Sequence, residues 1–266
     1  GQLVQLFGWD TDATGPEYRD FMHQFLTSLT RELEKLGIAD KTYFHVSDEP
    51  TDEQSESYKA AKEMVEKDLK GYQMIDALSS YGFFEKGVVS QPICSVDHIQ
   101  PFLEKRPEKL WGYYCTAQYL DVSNRFIAQP GYRTRILGTQ LYKYQLDGFL
   151  HWGYNFYNAE HSIFTIDPYR CTDAAGAFPS GDPFLVYPGA DGVSEESMRI
   201  MLMDEAMSDL CAMNYLESLA GREVVMACLE PEGEEKVEFK TYPRSCAYIT
   251  GMRKRIHQAI RKYAKR

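Results

Sequence analysis

Short apolar runs rich in aromatic residues alternate along this chain with longer stretches of helical period, and that alternation limits the fold more than any other feature. The clear runs are LVQLFGW at 3–9, TYFHVS at 42–47, MIDALSS at 74–80, LWGYYC at 110–115, GFLHWGY at 148–154 and PFLVYP at 183–188, with a weaker GVVS at 87–90. Runs this short and this apolar read as strands of a parallel sheet covered on both faces. Between the first two, Pro16 opens a repeat of Phe21, Phe25, Leu29, Leu33 and Leu36 that stops at Gly37. Thr51 and Gln54 have capping-box spacing ahead of a Tyr58, Ala61, Val65, Leu69 stripe that Gly71 ends. A third long helix is expected from Ser194, with Met198, Leu202, Ala206, Leu210 and Met213 on one face. Strands and helices in alternation predict an α/β fold.

A (β/α)8 barrel of the TIM type needs eight strands, and roughly 250 residues normally suffice for one. Six clear runs and one weak one predict either a barrel with unread strands or the C-terminal part of a barrel that lacks its first strand or strands. The abrupt start of LVQLFGW favours the second. On this reading residues 1–266 form one barrel domain, with 194–266 as its closing helices.

Several classes of function are set aside by composition. The formal net charge of −10 argues against nucleic acid or an anionic membrane as partner, because polyphosphates demand a positive field. The basic tail from Met252 to Arg266 keeps Ile256, Ile260 and Tyr263 at helical spacing, so it reads as an amphipathic last helix with a solvated face. No run is long enough for a membrane span, and the opening residues lack a signal-peptide pattern. The six cysteines are dispersed, with no C-x-x-C pair and no zinc-like combination with His. Neither a metal nor an organic cofactor is expected.

Where, then, is the chemistry? The stretch YFHVSDEPTDEQ places Asp48 and Glu49 side by side where a strand gives way to a helix. Loops of that type form the C-terminal face of a parallel barrel, where active sites are built. Neighbours on a regular strand point to opposite faces, so both acids serve one pocket only if the backbone leaves β geometry. Pro50 favours such a departure. Negative charge near a helix N-terminus is also a common, mildly stabilising arrangement, and spacing alone leaves both readings open. Aromatic residues make a second constellation: Trp111, Tyr113 and Tyr114 in one run, Trp152, Tyr154 and Asn155 in another. Rings with polar groups among them can line a ligand pocket; core packing is the other explanation of such aromatics. His45 would brace the acidic loop or sit in the core. Asp182 reads as a turn residue, with Tyr187 beside it on the last run. Asp97 and Asp121 remain rivals for a conventional acid–nucleophile pair.

YFHVSDEP resembles the catalytic strand end of glycoside hydrolase family 123, the β-N-acetylgalactosaminidases, and of the related domain of unknown function 4091. Further blocks resemble that family in the same order: KLWGYYC, the stretch from Asn124 to Tyr157, GDPFLVYPG, and S-x-x-S-x-R at 194–199. The resemblance implies hydrolysis of terminal β-linked N-acetylgalactosamine with retention, the sugar's own 2-acetamido carbonyl attacking the anomeric carbon to give an oxazolinium-type intermediate, an exception to the usual two-carboxylate scheme. It casts Glu49 as the acid that protonates the leaving oxygen and then deprotonates water, and Asp48 as the ionised acceptor of the acetamide N–H. Trp111, Tyr113, Trp152, Tyr154 and Asn155 become candidate sugar contacts. The implied partner is a glycan bearing an N-acetylhexosamine, the implied setting a secreted or periplasmic parent protein. A barrel that binds or scaffolds carbohydrate without hydrolysing it is the alternative.

Overall fold

The computed structural model describes residues 6–8 and 10–265. The strand expected at 3–9 falls mostly on residues outside the described ones. The chain separates into two compact units, Gly1–Leu110 and Trp111–Arg266.

The first unit alternates as expected: α1 (Pro16–Lys35), β1 (Tyr43–Phe44), α2 (Ser55–Glu66), β2 (Gln73–Leu78), α3 (Tyr81–Glu85), β3 (Gln91–Ser95) and α4 (Gln100–Glu104). β1 pairs with β2, and β2 with β3, both in parallel. Ile75, Ala77 and Leu78 of β2 are all buried together with Asp76, the pattern of a strand covered on both faces. The α2 stripe forms as read, with Tyr58, Val65 and Leu69 buried. The α1 stripe does not. Phe21, Phe25 and Leu36 are exposed, whereas Leu26 is buried and Met22 packs beside it against Val65 and Leu69. One residue is about 100° around a helix, so a small error in assigning the buried face exchanges Phe25 for Leu26. The weak run at 87–90 is not a strand. The Val88 and Val89 amides both donate to the Phe83 carbonyl, at 2.9 and 3.2 Å, behind Gly87 at φ 69°. The two valines thus close α3, and the strand begins at Gln91.

In the second unit β4 (Trp111–Tyr113) is followed by α5 (Gly131–Arg135), α6 (Leu137–Tyr144) and β5 (Gly148–Leu150), which pairs with β4 in parallel. The run at 183–188 belongs to no parallel sheet. Its last residues are β6 (Val186–Pro188), antiparallel to β7 (Ser194–Glu196), and this hairpin occupies the place where the long helix was expected to start. Phe184, Leu185 and Val186 are buried in succession, and burial of that kind looks alike in parallel and antiparallel settings. The helix itself, α7 (Met198–Ala220), begins after Ser197, whose hydroxyl accepts the Ile200 N–H. α8 (Arg222–Leu229) and α9 (Cys246–Tyr263) complete the unit. Met213 and Leu216 of α7, Val225 and Leu229 of α8, and Ile249, Met252 and Ile256 of α9 share one core; each contributes about 1.5–3 kcal/mol by leaving water. α6 crosses α7 at Gly138, where a Cβ would fall 1.9 Å from the Ala206 carbonyl oxygen. Polar anchors fix α7 as well. Asp209 takes Arg135 at 2.9 and 3.2 Å and Arg253 at 3.3 Å, while Arg199 donates to the carbonyl of Gly181 and, at 3.4 Å, to that of Arg125.

Candidate active site

The acidic loop is shaped by a residue thirty positions downstream. After Phe44 the chain leaves its ladder with β2, and Asp76 of β2, 1% exposed, catches it. Its Oδ1 accepts the N–H of Val46 at 2.9 Å and of Ser47 at 3.1 Å, and Oδ2 accepts the Tyr58 hydroxyl from α2. His45 Nδ1 lies 3.8 Å from the same Oδ1. Burial lifts the Asp76 carboxyl above the usual carboxylate range, with these hydrogen bonds opposing it. Beyond the anchor Ser47, Asp48 and Glu49 are exposed, and Pro50 is buried. Glu49 has φ 40°, a left-handed conformation costing a non-glycine residue about 1–3 kcal/mol. The helix start behind it is secured where Thr51 N–H donates to Gln54 Oε1 at 2.9 Å. Strand alternation therefore no longer dictates the directions of the two carboxylates. Asp97, after β3, is a different kind of acid: burial would raise it, but hydrogen bonds with Ser95 and His98 win and hold it below the usual range.

The second unit holds a buried polar cluster at the ends of β4 and β5. Asp182, 0% exposed, accepts Thr116 Oγ1–H and Trp152 Nε1–H on Oδ2, each at 2.9 Å. Its Oδ1 stands 3.1 Å from His151 Nε2. The tautomer of His151 follows from its other nitrogen. Arg125 Nη2, at 2.6 Å, and the Gly153 N–H, at 3.0 Å, can only donate, so Nδ1 accepts and Nε2–H donates to Asp182. Burial, reinforced by Arg125 and Arg199, pushes His151 down to about 4, so it is neutral at physiological pH. Burial alone would raise Asp182, yet its partners, His151 foremost, hold it low. Arg125, pushed down to about 10 by burial, stays cationic and also donates to the Gly153 carbonyl. By taking both peptide groups of Gly153, this cluster turns the chain out of β5 after Leu150. Residues 153–156 then run antiparallel to 182–186, with Leu185 N–H donating to Tyr154 O at 2.8 Å and Phe156 N–H to Pro183 O at 3.2 Å.

Residues 2–216 match the family described as "Glycoside hydrolase 123, catalytic domain". The chain belongs to glycoside hydrolase family 123. Among solved structures, a family 123 glycoside hydrolase from Clostridium perfringens, studied for glycolipid glycan hydrolysis, superposes with a TM-score of 0.64 at 16% identity over 96% of this chain. The chain spans about half the length of that protein, 46% of it. No curated protein matches significantly.

Within this family 123 chain the residues read from sequence fall in both units. Asp48 and Glu49 share the loop after β1. Of the aromatic candidates, Trp152 (40% exposed), Tyr154 (51% exposed) and the exposed Asn155 follow one another on the segment past β5. Tyr113 ends β4 and is 3% exposed; the buried Tyr114 ring packs edge-on against Phe149 at 4.7 Å. Trp111 opens β4 instead of closing it. Its indole lies across Gly148, where a Cβ would come within 2.3 Å of the ring. Asp121 is exposed and stands 3.6 Å from Arg244. Among the described residues no group of three or more His, Cys, Asp or Glu could hold a metal ion, and no helix is long and apolar enough to cross a membrane. Sequence reading missed Asp76 and the Arg125–His151–Asp182 cluster. An acid inside the apolar run MIDAL was a usable signal, because a buried carboxylate must find donors. Asp182 was hidden by its Gly-Asp-Pro context, which reads as a turn.

Proposed function

We propose that this chain is the catalytic portion of a (β/α)8-barrel glycosidase that removes terminal β-linked N-acetylgalactosamine with retention, using the substrate's own acetamide as nucleophile. The reading rests on one observation: Asp48 and Glu49 sit on an anchored loop where the backbone abandons strand geometry at Glu49, inside a chain of family 123. Strain at a non-glycine residue tends to collect at functional positions. In this reading Glu49 is the acid and then the base, and Asp48 stays ionised to orient the acetamide and offset positive charge developing at the anomeric carbon. Trp152, Tyr154 and Asn155 supply exposed sugar-binding surface, with Tyr113 ending the neighbouring strand. A glycolipid glycan is the substrate class suggested by the Clostridium perfringens protein.

Turnover of a chromogenic β-N-acetylgalactosaminide, compared with the β-N-acetylglucosaminide, tests the proposal. Glu49→Gln is expected to lower kcat about 10²–10⁴-fold, and a thiazoline mimic of the oxazolinium species should inhibit the wild-type protein. Equal turnover by wild type and variant removes Glu49 from the mechanism. One observation favours the alternative of a carbohydrate-binding domain without hydrolysis: both acids are exposed, whereas a general acid works best partly desolvated. Calorimetric binding of N-acetylgalactosamine without any turnover would establish that alternative.

A further inference from the structure

We propose that Asp182 is a positioning residue for glycan recognition, its carboxylate pinning the indole N–H of Trp152 so that the exposed ring face is presented to a sugar in one fixed orientation. The inference rests on the reading of Trp152 as a sugar contact and extends it to a residue outside the contact surface. A half-exposed tryptophan on an irregular segment would ordinarily sample several rotamers, and ordering it on binding costs affinity. Here the ring is ordered in advance. Asp182 Oδ2 accepts Trp152 Nε1–H at 2.9 Å, while Phe156 (ring centroids 5.4 Å apart) and Phe178 (4.9 Å) pack against the indole.

The carboxylate is itself immobile. Thr116 Oγ1, from the segment after β4, shares Oδ2 at 2.9 Å, and His151 Nε2–H occupies Oδ1 at 3.1 Å. His151 has no freedom to turn away, because Arg125 and the Gly153 N–H fix its other nitrogen. Arg199 grips the carbonyl of Gly181, the residue just before Asp182. Gly181 makes this approach feasible: it has φ 87°, and a Cβ there would lie 2.6 Å from Arg199 Nη1. The chain of contacts thus runs from α7 through Gly181 and Asp182 to the indole edge. A carboxylate used only to satisfy buried donors could have spent both oxygens on His151 and Thr116. Extending one to a side chain that is 40% exposed orients a surface group.

The test uses ¹⁵N-indole spectra and binding together. The Trp152 indole resonance is assigned by its loss in Trp152→Phe. In the wild-type protein that N–H should exchange with solvent at least tenfold more slowly than a free indole, and Asp182→Ala, which leaves no acceptor for the indole, should remove most of the protection. With a β-N-acetylgalactosaminide, Trp152→Phe should raise KM about five- to tenfold while kcat stays within twofold, as expected when an interaction equal in ground and transition states is lost. Asp182→Ala should do the same alone and add less than twofold in the Trp152→Phe background. Rapid indole exchange in wild type, or an unchanged KM in Trp152→Phe, overturns the proposal without requiring any variant of the buried cluster to fold. Slow exchange with no binding of any N-acetylhexosaminide by the wild-type protein refutes the glycosidase reading instead, and the recognition role falls with it.

Discussion

Replacing Asp76 by alanine should unfix the acidic loop, and the size of the effect can be worked from its three donors. The Tyr58 hydroxyl belongs to a buried residue, and stranding it costs about 1–3 kcal/mol. The amides of Val46, half-buried, and Ser47, exposed, can turn to water and add about 1 kcal/mol between them. Part of this is offset because the buried carboxylate, whose proton affinity burial has raised, no longer has to be desolvated. A net loss of about 2–3 kcal/mol follows, a sizeable fraction of a typical folding free energy. Asp76→Asn is the informative partner. Its amide oxygen can keep both backbone donors and its NH₂ can donate to Tyr58, so it should cost under about 1 kcal/mol. The pH dependence separates the two explanations further. With Asp76 raised in the folded state, the folded chain holds a proton that the unfolded chain releases near pH 4. The stability owed to this group is therefore full below about pH 4 and declines as pH rises through the raised value. Asp76→Asn should lack that decline. Urea denaturation at pH 4 to 7 measures all three proteins. Alanine within about 0.5 kcal/mol of wild type, or asparagine as damaging as alanine, refutes the anchoring argument.

Two further outcomes are expected. Gly138→Ala sets a Cβ 1.9 Å from a backbone oxygen of α7, which cannot swing aside, so the thermal midpoint should collapse or the protein fail to fold; a loss under about 1 kcal/mol would contradict the close helix crossing. His151 is held near 4 when folded but about 6.5 when unfolded, so the unfolded chain binds the extra proton between those values. Stability should fall as pH drops from about 6.5 toward about 4, by up to about 3 kcal/mol, and His151→Gln should flatten that slope in the same urea titration.

What was legible in the sequence followed from period and local chemistry. The α2 stripe, the Thr51–Gln54 cap and the last amphipathic helix formed as read, because each is decided within a few residues. The α/β alternation was equally plain. The misreadings share a cause. Val88 and Val89 cap a helix, and Phe184 to Val186 lead into an antiparallel hairpin; a short apolar run announces burial but not the partner that buries it. GFLHWGY stopped being a strand at Leu150 because His151 and Arg125 took over the peptide groups of Gly153, a competition between residues 26 positions apart. The departure from β geometry expected before Pro50 matches the left-handed φ of Glu49. The residue that holds this loop, Asp76, left a local trace as an acid within an apolar run, but nothing nearby in sequence named the loop 30 residues away that it would catch.

A helix gripped only by an oily stripe can slip by a turn, since one apolar layer resembles the next. α7 is keyed at two heights, by Arg199 near its start and by Asp209 farther along, and such keys admit a single axial setting. The first of them closes on the peptide beside Asp182, so the phase of a long scaffold helix is transmitted to the rim of the strand ends. Substitutions that merely loosen the oily layer should leave that setting intact, whereas a change at either key would let it drift.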